Sequence, residues 1–290
     1  MNIIFQINGG CGKCVMATAV CEAIKKEYPE DNLIVVSGYS DVFLNNPNVH
    51  RAFSFGNISY FYDEYVDNKE ILLLAHDPYL QTSYVKEEKN LIEIWCDLFN
   101  VPYNNEQPKI YLNDREVNFF KKKFQSDKPI FLLQTNGGAF SDQKYSWARD
   151  IPSSVAVQII DTFKDEYNIV HIRREDQIGF ANTTPIMDSF RSLCVLTALS
   201  SKRLFMDSCS QHTAAAMGLS STVCWIGTNP DVFGYEIHDN IKSNPFTNKP
   251  ELKNSYLQKF NIIGDLLEFP YNNESEIFDI EKIISSLKSN

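Results

Sequence analysis

Strand-length apolar runs alternate with helix-length segments through most of this chain, and that alternation confines it to parallel sheets covered on both faces. "NIIFQI" (2–7) predicts a strand, "CVMATAVCEAIKKEY" (14–28) a helix with Val15, Ala19 and Ala23 on one face, and "NLIVVS" (32–37) a second strand. Together they make one βαβ unit. "AFSF" (52–55) and "ILLLA" (71–75) continue the series, a helix is expected over 83–100, and "KIYL" (109–112) precedes the lysine-rich helix "REVNFFKKKF" (115–124). The polar, proline-bearing "QSDKP" (125–129) is the expected boundary. Beyond it the alternation restarts, with strands at "IFLLQT" (130–135), "NIVHIR" (168–173), "RLFMD" (203–207) and "TVCWIG" (222–227), and helices over 152–167, 188–200 and 210–218. The expected fold is therefore α/β, with two doubly wound, Rossmann-like domains facing a central cleft where ligands bind beyond the strand C-termini. The expected divisions are an N-terminal domain over 1–126, a C-terminal domain over 127–272, and a terminal helix within 273–290 that packs back on the N-terminal domain.

Composition narrows the function classes. A net charge of -10 argues against a broad basic face for nucleic acid, while leaving room for a local basic pocket that takes a phosphorylated small molecule. Met1 is followed directly by an apolar run too short for a signal peptide and without a basic n-region. The longest apolar runs have strand length and cannot span a bilayer, which leaves peripheral membrane contact open. Seven scattered cysteines do not make a disulfide framework, so a cytoplasmic, reduced protein is expected.

The stretch "QINGGCGKCVMATAV" (6–20) admits three readings. Cys11-x-x-Cys14 at a helix start would suit a dithiol oxidoreductase, but such domains are about a third of this size, and isolated pairs of this kind are common. A phosphate-binding P-loop fails at two positions, because Ile7 stands at the first glycine and Cys14 replaces the magnesium-binding hydroxyl. What survives is a βα turn in which Gly9, Gly10 and Gly12 let the backbone approach a ligand at a helix N-terminus.

The C-terminal half carries the most specific pattern. In "LFMDSCSQHTAAAMGLSSTVCWIGTNP" (204–230) a strand ends in Asp207-Ser208, His212 begins a helix of small residues, and a second strand delivers Gly227-Thr228-Asn229-Pro230 to the same edge. This resembles the D-[ST]-G-x-x-H-x-A-A-A-x-G … G-x-T-x-P signature of the ADP-heptose:lipopolysaccharide heptosyltransferases and their relatives, glycosyltransferase family 9, which have the GT-B fold. "QTNGG … KYSW" (134–147) is similar to that family's first C-domain loop, and "NNPNVHRAF" (45–53) to the segment after its second strand. The opening "GGCGKCVMATAVCEAIKKEYPEDNLIVV" is similar to the family's first βα turn. The resemblance is dense over 1–55 and 130–230 and thin over 56–128.

It implies a metal- and cofactor-independent glycosyltransferase moving a sugar from an ADP- or UDP-linked donor to a glycan or other cytosolic acceptor. It implies a donor-phosphate role for Lys144, with Thr135 and Asn136 lining the same loop, and donor contacts at Asp207, Ser208, His212 and Thr228. Arg173 is a further candidate against the leaving pyrophosphate and Glu175 for the ribose, with a solvated strand end as the alternative for both arginines of Arg173-Arg174. Three positions depart from the family pattern: Lys13 stands where it has the aspartate that deprotonates the acceptor, Cys209 where it has glycine, and Ala19 where it has proline. A lysine ammonium has no acceptor lone pair, so Asp77 is taken as the substitute base, with a loop cap as its other reading. Lys13 itself would bind phosphate or an acidic acceptor. The alternative function is a catalytically altered or inactive GT-B protein that binds nucleotide sugar or glycan within an assembly. The aromatic run "YFYDEY" (60–65) would stack on a sugar or pack, and no His, Cys, Asp or Glu spacing suggests a metal.

Overall fold

The computed structural model describes residues 1–56, 58–137, 145–248 and 269–289. In chain order the first half holds β1 (Asn2–Ile7), α1 (Cys11–Glu27), β2 (Asn32–Ser37), β3 (Arg51–Ser54), α2 (Phe61–Tyr65), β4 (Ile71–Leu74), α3 (Thr82–Val85), α4 (Leu91–Leu98) and α5 (Asp114–Lys123). The second half holds β5 (Ile130–Leu133), α6 (Ser153–Phe163), β6 (Asn168–Ile172), β7 (Thr184–Ile186), α7 (Phe190–Leu199), β8 (Ser200–Met206), α8 (Cys209–Ala216), β9 (Thr222–Trp225), α9 (Pro230–Phe233), β10 (Asp239–Lys242) and α10 (Ile280–Ser289). Strand order is β3-β2-β1-β4 in the first sheet and β10-β9-β8-β5-β6-β7 in the second. Every pairing is parallel, as expected for two Rossmann-like units.

Helix α1 is buried almost all round, from Lys13 through Ala23 and Ile24. Its neighbours explain why: α1 packs against β2 and α4 of its own unit and against α8 of the other. Small residues such as Ala17, Ala19 and Ala23 let three elements approach one cylinder, and one continuous apolar cluster joins Phe5, Met16 and Trp95 to Ala216, Val232 and Tyr235. Phe5 meets Trp95 and Phe99 edge-to-face, at centroid distances of 5.3 and 5.2 Å.

The structure departs from the sequence pattern in three places. The single helix expected over 83–100 is two, α3 and α4, because the chain turns left-handed at Glu87 and restarts with Asn90 accepting from the Ile92 amide. "KIYL" forms no strand; it runs between the units, with the Lys109 amide donating to Thr18 Oγ1 at 2.9 Å. The terminal helix, expected on the N-terminal domain, lies instead on the C-terminal one, against α6, β8, β9 and β10. There Ile283 and Leu287 complete the cluster of Phe131, Leu204, Met206 and Cys224, Ser286 shares a 2.6 Å hydrogen bond with Thr222, and Lys202 donates to the Leu287 carbonyl.

A two-pronged ion pair adds to the interdomain contact. Arg191 of α7 donates through Nε and Nη2 to the two oxygens of Glu116 on α5, both at 2.8 Å, and through Nη2 to the Tyr111 carbonyl at 2.6 Å. The guanidinium holds the Glu116 carboxyl below the usual carboxylate range. Arg191→Met should leave Glu116 with the Asn113 amide at 3.0 Å and the Tyr111 carbonyl with Asn45 Nδ2 at 3.3 Å, at a cost of about 1–3 kcal/mol measured by urea denaturation. A loss below about 0.5 kcal/mol would mean that the pair behaves as a solvated surface contact.

Candidate functional site

Each sheet reverses its strand order once, between β1 and β4 in the first and between β5 and β8 in the second. Crevices at such reversals are where open α/β sheets hold ligands. The loops leaving these four strands bring together most of the residues singled out in the sequence.

At the first reversal, Gly9 has φ +120, which admits few other residues, and a Cβ there would stand 3.0 Å from Lys13 Cδ. Gly10 is the N-cap of α1, and Gly12 lies where a Cβ would meet His212 of the other domain at 2.8 Å. Lys13 turns back into the protein. Its Nζ donates to Asp77 Oδ1 at 2.8 Å and stands 4.3 Å over the Tyr79 ring and 5.4 Å from the Trp95 ring. The lysine side chain is 4 % exposed and the aspartate 31 %. Asp77 is the N-cap of the short turn Pro78–Leu80, and its Oδ1 accepts from the Tyr79 amide as well, at 3.0 Å. Among the described residues Oδ2 accepts no hydrogen bond, so Asp77 is both the loop cap and a partly open carboxylate. The Tyr79 ring meets Phe233 edge-on at 6.2 Å, which puts this corner against the second domain.

At the second reversal, Ser208 Oγ donates to Gln134 Oε1 at 2.6 Å and joins the ends of β8 and β5. Asp207 is buried, and burial raises its carboxyl against the opposing effects of Arg149 and the Thr228 hydroxyl. Arg149, which the sequence pattern did not single out, donates through Nε and Nη2 to the Asp207 carbonyl at 3.0 and 2.8 Å. Thr135 and Asn136 are buried and bond inward: Thr135 Oγ1 to Asn136 Oδ1 at 2.9 Å and to His171 Nε2 at 3.0 Å, and Asn136 Nδ2 to Asp150 Oδ2 at 3.0 Å. Asp150 also takes the Gly137 amide at 2.8 Å and the Ser146 amide at 2.9 Å, so one carboxylate ties down both ends of the connection from β5. Lys144 lies in that connection, outside the described residues.

Two cavities flank this edge. One, of about 140 Å³, is lined by Gln134, Asn136, Arg173 and Met187. Arg173 donates to the carbonyls of Arg174 at 3.1 Å and Gln177 at 3.3 Å, while its Nε is buried with no hydrogen-bond partner among the described residues. Glu175 is exposed on the following turn and lines neither cavity. The other cavity, of about 420 Å³, is lined by Trp147, Gly227, Thr228, Asn229, Lys242 and Phe246. Glu87 reaches into it from the N-terminal domain to accept from Asn229 Nδ2 at 3.1 Å.

His212 is not placed to supply charge. It is buried, its Nδ1 is 2.9 Å from the Tyr235 hydroxyl, and its ring rests against Gly12. Burial, then His238 and Arg149, depresses its pKa to about 3. His212, expected at the donor phosphate, is therefore held neutral and paired with Tyr235. The dithiol reading also fails on geometry, since Cys14 is fully buried with its thiol pushed up to about 12, and the sulfur beside Cys11 belongs to Cys209, 3.0 Å away. Among the described residues no three His, Cys, Asp or Glu side chains group as metal ligands, and no helix is long and apolar enough to cross a membrane.

Burial likewise lowers His171 and His238 to about 4, against 6.5 in an unfolded chain. Folded-state values below unfolded ones mean that unfolding takes up protons, so the stability present above pH ~6.5 is lost as pH falls. For the three histidines together the loss should be on the order of 4 kcal/mol between pH ~7 and ~5.5, and His212→Gln should make the decline shallower by roughly a third. A flat urea midpoint across that window would show that these rings take up protons in the folded protein as readily as in the unfolded chain.

No family model matches this sequence, and no curated protein does. Solved structures match in shape. A glycosyl transferase family 9 protein of Veillonella parvula DSM 2008 superposes with a TM-score of 0.69 at 13% identity, over 99% of this chain and 96% of that one. The ADP-heptose lps heptosyltransferase II of E. coli gives 0.66 at 12% identity over 100% and 99%, and E. coli heptosyltransferase WaaC with ADP gives 0.56 at 10% over 84% and 94%. At such identities the likeness is one of architecture, and it runs almost end to end: the chain has the two-domain GT-B fold of those structures.

Proposed function

We propose that this protein transfers a sugar from a nucleoside-diphosphate sugar to an acceptor hydroxyl. The observation that carries the reading is the meeting of two reversal points across one cleft. A carboxylate, Asp77, stands on one side; the start of α8, Arg149 and the Arg173 cavity stand on the other. In this reading the nucleoside occupies the cavity of Asn136, Arg173 and Met187, and the diphosphate crosses the first turn of α8 at Ser208. Arg149, Arg173 and Lys144 then oppose the charge that grows on the leaving diphosphate without a metal. The acceptor oxygen attacks the anomeric carbon as the carbon–oxygen bond to phosphate breaks, and its proton passes to Asp77 Oδ2 while Lys13 holds Oδ1. Adenine donors come first, because one structural neighbour holds ADP and another is an ADP-heptose lps heptosyltransferase. The acceptor is a glycan or another hydroxyl-bearing molecule in this reading.

A second reading keeps the donor and drops the transfer. It is favoured by the same ion pair, since Lys13 already engages one oxygen of Asp77 at 2.8 Å.

Purified protein titrated with ADP- and UDP-sugars should show a rise in melting temperature with at least one of them. Lys144→Ala should weaken that binding by about tenfold or more. Asp77→Asn should keep donor binding and lower donor turnover by a factor of about 10²–10⁴. Donor binding without turnover in the unmodified protein selects the second reading, and no shift with any nucleotide sugar sinks both.

A further inference from the structure

We propose that Cys11 and Cys209 are a reversible disulfide site that ties the two domains together at the mouth of the cleft. Their sulfurs are 3.0 Å apart although the residues are 198 positions apart in the chain. Each is the first residue of a helix, Cys11 of α1 and Cys209 of α8, so the two helix starts bring both sulfurs to one seam. Closing the gap to a bond length of about 2.0 Å asks each sulfur to move by about half an ångström, within the reach of a side-chain rotation. Gly12 keeps the two helix starts close, since a Cβ there would overlap the His212 ring of α8 at 2.8 Å.

Selectivity follows from burial. Cys11 and Cys209 are partly exposed, whereas Cys14, Cys21, Cys96, Cys194 and Cys224 are buried. The hydrogen bond with Cys209, then burial, pushes the Cys11 thiol up, so Cys11 is assigned the resolving step and Cys209 the first attack.

The oxidant is a low-molecular disulfide. The Cys209 thiolate attacks one sulfur of glutathione disulfide and releases one glutathione thiolate. Cys11 then gives up its proton and attacks the Cys209 sulfur, releasing the second glutathione. Two protein thiols and one glutathione disulfide become one protein disulfide and two glutathione thiols. The bond would pin α1 to α8 across the seam, whatever ligand the cleft takes.

The full chain, reduced and then incubated with glutathione disulfide, should lose the mass of two hydrogens and carry no glutathionyl adduct. A non-reducing peptide map should join the peptides of Cys11 and Cys209. The oxidised form should melt several degrees higher than the reduced form, with dithiothreitol restoring the original value. Cys11→Ser and Cys209→Ser should each abolish the cross-link, the former stopping at a glutathionyl adduct on Cys209. A wild-type protein that stays unreacted, that keeps the adduct, or that joins Cys11 to Cys14 overturns the proposal, and the wild-type map alone decides should a serine variant fail to fold.

Discussion

The first turn of α1 against the first turn of α8 is the contact on which the rest of the molecule depends. Gly12 gives up its side chain to let His212 lie on the helix backbone, and a single added carbon there would overlap the ring at 2.8 Å. Because of that approach, α1 is buried by both domains, and residues from both enter one apolar cluster. The relative placement of the sheets is therefore set by core packing, which leaves little room for slack. The Arg191–Glu116 pair reinforces a position that packing has already chosen.

The same contact governs the electrostatics of the cleft. Pressing α8 against α1 removes His212 from water, and its neighbours Tyr235, His238 and Gln211 go with it. The network stays neutral: His212 pairs with the Tyr235 hydroxyl, and His238 Nε2 is 2.9 Å from the Gln211 carbonyl. Positive charge at this edge is left to Arg149 and Arg173, whose guanidinium groups donate to backbone carbonyls. In a chain of net charge -10, two such arginines beside a helix N-terminus make a local exception to the general field.

The strands buried on both faces were the most legible part of the sequence, because β1, β2 and β5 carry continuous apolar runs. The edge strands β7 and β10 were not, since "TPI" and "DNIK" have too little apolar surface to announce themselves. A terminal helix with an apolar stripe declares that it packs, but the stripe of Ile283 and Leu287 carries no information about which sheet receives it. Site residues follow the same rule. Asp207, Ser208 and Thr228 could be placed at a strand edge from chain order alone. Arg149 could not, because its significance lies in a carbonyl 58 residues away. Nor could the partner of Cys11, which spacing assigned to Cys14 and the fold gave to Cys209.

Lys13 shows how a local misfit is resolved at a distance. A cation in the first turn of a helix stands against the helix dipole, and a lysine 4 % exposed also loses its water. Neither cost is met within α1, whose first turn has no acidic residue. Both are met from β4, whose end brings Asp77 to 2.8 Å, and from the rings of Tyr79 and Trp95, which face the ammonium. The pair is asymmetric: the buried partner is the cation, and the partner with open surface is the carboxylate. The first reversal point therefore still presents a carboxylate, delivered by a strand end rather than by the helix. Lys13 fixes where that carboxylate stands, so the lysine is better understood as the anchor of Asp77 than as a replacement for an acid.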